Sequence, residues 1–241
     1  MDGYSVCKKA VRFLDGLTDR MLLLLFLLVF LFGGYALYDS YQVYLLGSLP
    51  DIERFKPGAE GAGDSDQEIV GTMAAWLTVE DTGIDYPVMQ GEDNSEYLSK
   101  DPFGNYSLSG SIFLDSRNDP AFTDGYSLIY GHHMEHGLMF GALDSYLEQS
   151  YFDSHREGAL LFTDGSTLPL HIFAVAETDG ADEFIFSPTE YTNGEVLSRV
   201  REKAVIFDQS AWPGAEERLV ALSTCKFPDT ADRTIVFCVI N

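Results

Sequence analysis

Basic residues are scarce in this sequence. Its 241 residues include 15 Lys and Arg against 38 Asp and Glu, which gives a formal net charge of −23. Nucleic-acid binding needs clustered positive charge to neutralise phosphates, so this composition excludes a general nucleic-acid partner. Cysteine is scarce as well: three cysteines cannot all pair with one another, and a small fold held together by disulfides is therefore excluded.

Repeats and nucleotide-binding motifs are missing too. We find no internal repeat and no Gly-rich phosphate loop, so the sequence implies no cofactor. The remaining composition, 46% hydrophobic and 22% charged, is that of a globular protein. A domain of about 200 residues can bury enough surface to fold without disulfides.

One uncharged apolar run covers residues 21–38, which is at the short end of what spans a bilayer as a helix. Four basic residues precede it, so the positive-inside rule predicts a cytoplasmic tail at residues 1–20 and export of the rest. A cleavable signal peptide is the alternative, but bulky residues follow the run where a cleavage site needs small ones. We expect a single-pass protein of the cell membrane with an extracellular domain.

The charge divides unevenly along the chain. Residues 1–20 carry +1 and the remainder carries −24, a distribution that favours solubility at a negatively charged cell surface. Residues 39–68 are predicted to be a connecting region: a helical stalk interrupted at Pro50, followed by a Gly-rich linker at residues 56–67. The folded domain is then expected at residues 69–241.

Short apolar runs separated by turn signals follow in this domain, and they predict about eight strands. We therefore expect a mainly β fold, a closed eight-stranded barrel with peripheral helices. The helical signals are at Leu138–Leu147, which is short and amphipathic, and at Gly194–Val205, where Asn193 is a candidate cap.

A cysteine and an arginine lie close together near the end of the sequence. Cys225 ends one apolar strand and Arg233 begins another, with a polar loop of seven residues between them. Adjacent antiparallel strands would bring both side chains to one groove at the barrel mouth. A thiol beside a fixed cation and an imidazole is what catalysis by a thiol nucleophile requires.

His132 is the candidate for that imidazole, because it follows a predicted strand that ends at Gly131. Ordinary loop histidines are one alternative reading of His132 and His133. A zinc site is another, but the H-H-x-E-H pattern formed with Glu135 and His136 is not the helical H-E-x-x-H spacing.

Together these motifs resemble the sortases, the cysteine transpeptidases of Gram-positive cell walls. The ending A-L-S-T-C is similar to the family's T-L-x-T-C, with Ala221 where threonine is common, and the G-H strand end lies about ninety residues earlier. The segment IYGHHMEHGLMFGALDSY and the helix near residues 194–205 are most similar to class B. The resemblance covers about residues 69–241 and implies the sortase barrel.

The resemblance also implies residue roles. It places the nucleophile at Cys225, the catalytic histidine at His132 and the catalytic arginine at Arg233. It implies substrate-binding residues in two segments, one before the cysteine and one in the substrate groove: Ser223, Thr224, Asn94 and Leu98. The implied partners are sorting-signal peptides of exported surface proteins and the amine of a cell-wall precursor or of a pilin lysine.

Other features of the sequence allow further readings. Asp101, Pro102 and Phe103 are similar to the lid of class C pilin polymerases, but the tripeptide lies between strand signals. Cys238, inside the last apolar strand, is expected to be a buried hydrophobe, and Cys7 lies on the predicted cytoplasmic side. From another class of function, the alternative is a membrane-tethered binding barrel that presents an acidic ligand-binding face and in which Cys225 is inert.

Overall fold

The structure, a computed structural model, describes residues 3–47, 52–59, 68–225 and 232–241. The side chains of residues 3–11, 39–40, 42–47 and 225 lie outside that description. The chain divides into two units, residues 1–45 and residues 46–241.

The first unit is formed by the helix α1, Gly3–Gly47. Its segment Arg12–Tyr38 is long and apolar enough to cross a membrane, and its large apolar side chains are exposed around the whole helix. A helix suits this role because it satisfies every backbone hydrogen bond within itself. The predicted apolar helix is therefore confirmed as a candidate span. The predicted break at Pro50 and linker residues 60–67 lie outside the described residues.

The second unit is a β-barrel. Its strands, in chain order, are β1 Thr72–Val79, β2 Asp85–Gln90, β3 Ile112–Leu114, β4 Tyr126–Gly131, β5 Glu157–Leu161, β6 Thr167–Asp179, β7 Ala204–Phe207, β8 Leu219–Cys225 and β9 Asp232–Ile240. They are hydrogen-bonded in the order β5-β1-β2-β3-β4-β8-β9-β6-β7, and β5 also pairs with β6. This last pairing closes eight strands into the predicted barrel, while β7 is a further strand attached to β6.

Short helices lie between the strands. The α-helices are α2 Gln149–Ser154, α3 Glu183–Phe186 and α4 Asn193–Lys203, and the 3-10 helices are Ile52–Phe55, Glu96–Leu98, Glu135–Gly137 and Phe140–Leu147. The helix predicted at Leu138–Leu147 is thus a 3-10 helix that begins two residues later. The helix predicted at Gly194–Val205 is α4, which ends at Lys203 because residues 204–207 form β7.

The N-cap of α4 was predicted wrongly. Thr192, rather than Asn193, accepts the amide hydrogen bond of Glu195, whose carboxylate accepts one from the amide of Thr192 in return. This reciprocal capping box satisfies two backbone donors that a helix start otherwise leaves unpaired. Asn193 instead donates from its side chain to the carbonyls of Gly125 and Glu217, and so ties the start of α4 to the barrel.

The strands next to the candidate site are buried on both faces. Val220 and Leu222 of β8 belong to the main core cluster, whereas Leu219 and Ala221 pack in a second cluster with the inner face of α4. Burial on both faces explains why β8 and β9 are nearly continuous apolar runs in the sequence. The barrel end of these strands is consequently a rigid support.

Residues ahead of the first strand also pack on the barrel. Ile52 is 5% exposed, the Phe55 ring lies 5.4 Å from the Phe103 ring, and the Lys56 ammonium contacts the Asp85 carboxylate at 2.8 Å. The predicted domain boundary at residue 69 therefore leaves out a short segment that contributes contacts to the second unit.

Candidate active site

The register of three adjacent strands brings the candidate catalytic residues to one end of the barrel. β4 runs parallel to β8, with Gly131 opposite Thr224, and His132 follows directly after β4. β8 runs antiparallel to β9, with Cys225 opposite Arg233. Neighbouring strands are about 4.8 Å apart, so the three backbone positions lie side by side. The Cys225 side chain lies outside the described residues.

Gly131 and the segment after it fix the position of His132. A Cβ atom on Gly131 would lie 2.7 Å from the ring of Phe140, so a larger residue does not fit there. The Nε2 atom of His132 lies 2.7 Å from the carbonyl oxygen of Leu98. A carbonyl oxygen only accepts hydrogen bonds, so Nε2 carries the proton and Nδ1 is the basic nitrogen of the neutral ring.

A groove of about 260 Å³ opens at this end of the barrel. It is lined by Asn94, Leu98, Phe113, Tyr130, Gly131, His132, Gly180, Phe186, Ser223, Thr224 and Arg233. The four residues expected to bind substrate are thus all on its wall, together with two of the three expected catalytic residues. Their roles in binding and catalysis stay predictions.

Arg233 is half-buried at the start of β9. Its Nη1 donates to the carbonyl oxygen of Asp232 at 3.3 Å. A surface ion pair with Asp232 or Asp229 is the alternative reading of this arginine, and Asp229 lies outside the described residues. A guanidinium on a doubly paired strand presents several donors in a planar fork toward the groove that it lines.

The aromatic wall of the groove was not predicted from the sequence. The Tyr130 ring lies 5.3 Å from the Phe113 ring and stacks on the Phe186 ring at 6.4 Å. The sequence pattern places Tyr130 in the strand before His132 but does not indicate that its ring lines a groove. Phe186 belongs to α3, a helix of four residues that no sequence pattern predicts. These rings give the groove an apolar side.

Behind the aromatic wall lies a buried carboxylate, Asp115, which sequence reasoning also missed. Its oxygens accept hydrogen bonds from Asn94 at 2.9 Å, from Tyr130 at 3.1 Å and from two guanidinium nitrogens of Arg117 at 2.9 and 2.8 Å. Burial raises the pKa of Asp115, but the hydrogen bonds from Arg117 and Asn94 outweigh it and hold the pKa below its usual value. Burial and the Asp115 charge raise the pKa of Tyr130, which stays a hydrogen-bond donor.

One hydroxyl on the groove wall has no partner in the described part of the chain. The Oγ atom of Ser223 is buried and makes no hydrogen bond there. Buried polar atoms are nearly always paired, so this hydroxyl is suited to a polar group of a bound ligand.

The alternative readings receive different structural support. No group of three or more His, Cys, Asp or Glu among the described residues is arranged to hold a metal ion. Asp101, in the lid-like tripeptide, accepts hydrogen bonds from the amides of Phe103 and Asn105 and so shapes its own turn. Cys238 is buried in the core, and burial raises the pKa of its thiol.

Comparison with known families gives a consistent result. Residues 77–241 match the sequence model of the Sortase domain. The chain is 34% identical to sortase B of Listeria monocytogenes over 164 residues, 66% of this chain and 65% of that protein, so the match covers slightly less than two thirds of the relative.

Solved structures of class B sortases are also similar. The chain matches Spy0129, a Streptococcus pyogenes class B sortase involved in pilus biogenesis, with a TM-score of 0.64 and 43% identity. The match covers 69% of this chain and 91% of that one. A Staphylococcus aureus sortase B–substrate complex matches with a TM-score of 0.64 and 28% identity, covering 70% of this chain and 79% of that one.

Proposed function

The chain belongs to the sortase family, with class B sortases as its relatives, and from this premise we propose that it is a cysteine transpeptidase. It cleaves a C-terminal sorting motif of an exported protein and joins the new carboxyl end to an amine. The observation that carries the proposal is the strand register, which sets Cys225 opposite Arg233 and places His132 after the strand on the other side of β8.

In the first half-reaction the Cys225 thiolate attacks a backbone carbonyl carbon of the sorting peptide. A carbon–sulfur bond forms, the carbonyl oxygen becomes negatively charged, and Arg233 stabilises that charge through its N–H donors. The carbon–nitrogen bond then breaks as His132 gives a proton to the leaving amine. The product is a thioacyl-enzyme, and the C-terminal fragment departs.

In the second half-reaction an incoming amine attacks the thioester carbon. His132, now neutral, takes a proton from that amine, the carbon–sulfur bond breaks and the thiolate is restored. The aromatic wall and Ser223 lie along the same groove as His132 and Arg233, so peptide binding and chemistry share one surface.

The amine in this proposal belongs to a cell-wall precursor. A helix that holds the enzyme at the membrane surface would confine it near such precursors, with residues 1–20 in the cytoplasm and the barrel outside. A pilin lysine is the second candidate acceptor. It is favoured by the 43% identity to a class B sortase involved in pilus biogenesis, against 28% for the Staphylococcus aureus enzyme.

The test is a screen of sorting pentapeptides with the enzyme, using mass spectrometry to find the cleaved peptide and the acyl adduct. We expect one motif class to be cleaved and its acyl group to be found on Cys225. Competition between a wall-precursor amine and a lysine-containing pilin peptide then identifies the acceptor. A protein that binds peptides without any adduct, and whose Cys225 resists alkylation, would instead be the tethered binding barrel.

A further inference from the structure

Asp144 makes a bridge between the two segments that carry His132 and Arg233. Its Oδ2 atom lies 2.9 Å from Nε2 of His133, the residue after His132. Its Oδ1 atom accepts a hydrogen bond of 3.0 Å from the hydroxyl of Thr234, the residue after Arg233. One carboxylate thus contacts the residue after His132 and the residue after Arg233. His132 and Arg233 are two of the three groups that the proposed reaction uses.

The donor and acceptor of each hydrogen bond in this bridge follow from the chemistry of the three side chains. An ionised carboxylate only accepts hydrogen bonds, so the Thr234 hydroxyl and Nε2 of His133 must both be the donors. Thr234 is fully buried, and a buried hydroxyl without a partner would be unfavourable. Each oxygen of Asp144 therefore has its own donor.

The 3-10 helix that carries Asp144 is held firmly on the barrel. Asp144 lies on the 3-10 helix Phe140–Leu147, whose Phe140, Leu143 and Tyr146 are fully buried in the barrel core. The amide of Phe140 also donates to the carbonyl of His132 at 3.1 Å. The helix is thus held against the end of β4 by packing and by a backbone hydrogen bond, and Asp144 extends this connection to β9.

We propose that Asp144 is a positioning residue that holds the His132 segment and the start of β9 at a fixed separation. With this separation fixed, the Arg233 guanidinium acts on the carbonyl oxygen and the His132 imidazole on the nitrogen of the same substrate peptide bond. This inference rests on the proposed transpeptidase function. Asp144 and Thr234 are not among the residues that line the described groove, so they affect the chemical step rather than peptide binding.

The expected loss of kcat when the Asp144 bridge is broken follows from geometry. Displacement of a catalytic group by about 1 Å can lower a rate by about a hundredfold. Loss of one hydrogen bond to Asp144 loosens the connection without removing a catalytic group. We expect kcat to fall by about tenfold or more and KM to change by less than about twofold.

The test uses the full chain in detergent micelles, four single variants and the double variant Asp144→Ala/Thr234→Val. Thr234→Val keeps the side-chain shape and removes the hydroxyl, Thr234→Ser keeps the hydroxyl, and Asp144→Ala removes the acceptor. Thr78→Val is the matched control, because the Thr78 hydroxyl likewise donates to a carboxylate, Asp85 at 2.8 Å, on a part of the barrel away from the groove. Each variant is measured for kcat and KM with a cleaved sorting peptide and for Tm.

We expect Thr234→Val and Asp144→Ala to lower kcat without raising KM, whatever their effect on Tm. Thr234→Ser should restore kcat, and Thr78→Val should lower only Tm. The double variant of Asp144 and Thr234 should lose no more kcat than Asp144→Ala, because both changes remove one connection. Asp144→Ala changes a partly exposed side chain and remains measurable if Thr234→Val does not fold. Wild-type kcat in a folded Asp144→Ala protein, or a rise in KM without a fall in kcat, would overturn the inference.

A second readout separates this inference from the proposed function. The pH dependence of Cys225 alkylation by iodoacetamide, followed on its own peptide by mass spectrometry, reports the surroundings of the thiol without any turnover. We expect Asp144→Ala and Thr234→Val to shift this profile and Thr78→Val to leave it unchanged. If the wild-type protein cleaves no sorting peptide, the proposed function fails, and the alkylation profiles still decide whether Asp144 positions the site.

Discussion

Asn94 donates a hydrogen bond of 2.9 Å from its side-chain amide to Asp115, a carboxylate that is completely buried. Through Asp115, Asn94 is connected to Arg117, whose guanidinium also donates to the carbonyl oxygen of Phe186 at 2.7 Å. Asn94 and Phe186 are both on the groove wall, on segments far apart in the sequence. Two parts of the groove wall are therefore connected through one ion pair, between the buried Asp115 and the partly exposed Arg117.

Arg117→Met should weaken both the fold and peptide binding. The change leaves the Asp115 carboxylate buried without its cation, and because Arg117 is partly exposed we expect the free energy of unfolding to fall by about 2 kcal/mol. Loss of the contact to Phe186 should raise KM for the sorting peptide more than it lowers kcat. Denaturant unfolding and steady-state kinetics check both effects. Asp153→Ala, at an exposed position on α2, is the control and should leave both unchanged.

The same ion pair predicts how stability depends on pH. Because the pKa of Asp115 in the folded protein is below its usual value, its contribution is complete above the unfolded pKa of about 3.9 and is lost as the pH falls through the folded value. Arg117→Met removes the largest lowering contact, so the difference in Tm between wild type and variant should be large at neutral pH and narrow toward pH 3. A constant difference across this range would contradict the assignment.

Cys225→Ala should abolish peptide cleavage, whereas Cys238→Ala should leave it largely intact. Cys225 ends β8 beside Arg233, while Cys238 is 1% exposed and burial raises its thiol pKa. Removal of the buried sulfur should lower only Tm. Mass spectrometry of the acyl adduct decides the matter, and an adduct on Cys238 would overturn the nucleophile assignment.

Arg233→Lys keeps the positive charge but replaces a planar fork of five donors with a single ammonium. If directed hydrogen bonds to the oxyanion are what matter, we expect a loss of about a hundredfold in kcat for the lysine variant, similar to loss of one oxyanion-hole donor. Arg233→Ala should lose at least as much. Near-wild-type kcat in Arg233→Lys would show that charge alone is needed, and the same result in both variants would place Arg233 outside the mechanism.

Deletion of residues 1–45 should give a soluble monomer, because it removes the apolar span and keeps the segment that packs on the barrel. Deletion of residues 1–67 should lower Tm, since burial of Ile52 alone is worth about 2 kcal/mol. Size-exclusion chromatography and thermal melts check this. Lys56→Met in the longer protein isolates the ion pair with Asp85, which is partly exposed and should contribute little. Aggregation of both shortened proteins would contradict the proposed boundary.

The barrel was predictable because its strands are apolar runs bounded by turns. In a run such as β8, the residues of the strand alone indicate a buried strand. β7 was missed because its four residues directly follow α4, without a turn, and alternate between half-buried and exposed. The cap at Thr192 was missed because Asn193 is also a good capping residue, and only the reciprocal bond with Glu195 distinguishes the two.

The site itself was predictable only in part. Cys225, His132 and Arg233 lie at strand ends, where sequence patterns are informative. The bonds from Arg117 to Phe186 and from Thr234 to Asp144 join residues 69 and 90 positions apart, and nothing local in the sequence indicates such pairs. The side chains that support a site are therefore harder to recognise than the groups that form it.

The parallel pairing of β4 with β8 has a consequence for how the protein matures. His132 and Cys225 become neighbours only after a long stretch of intervening chain, including β5, β6 and β7, has been made, and β9 must then join between β6 and β8 to bring Arg233 into place. Closing such long loops is slow relative to local folding. A partly synthesised chain therefore holds an unassembled site, and Cys225 acquires its neighbours only when the barrel closes.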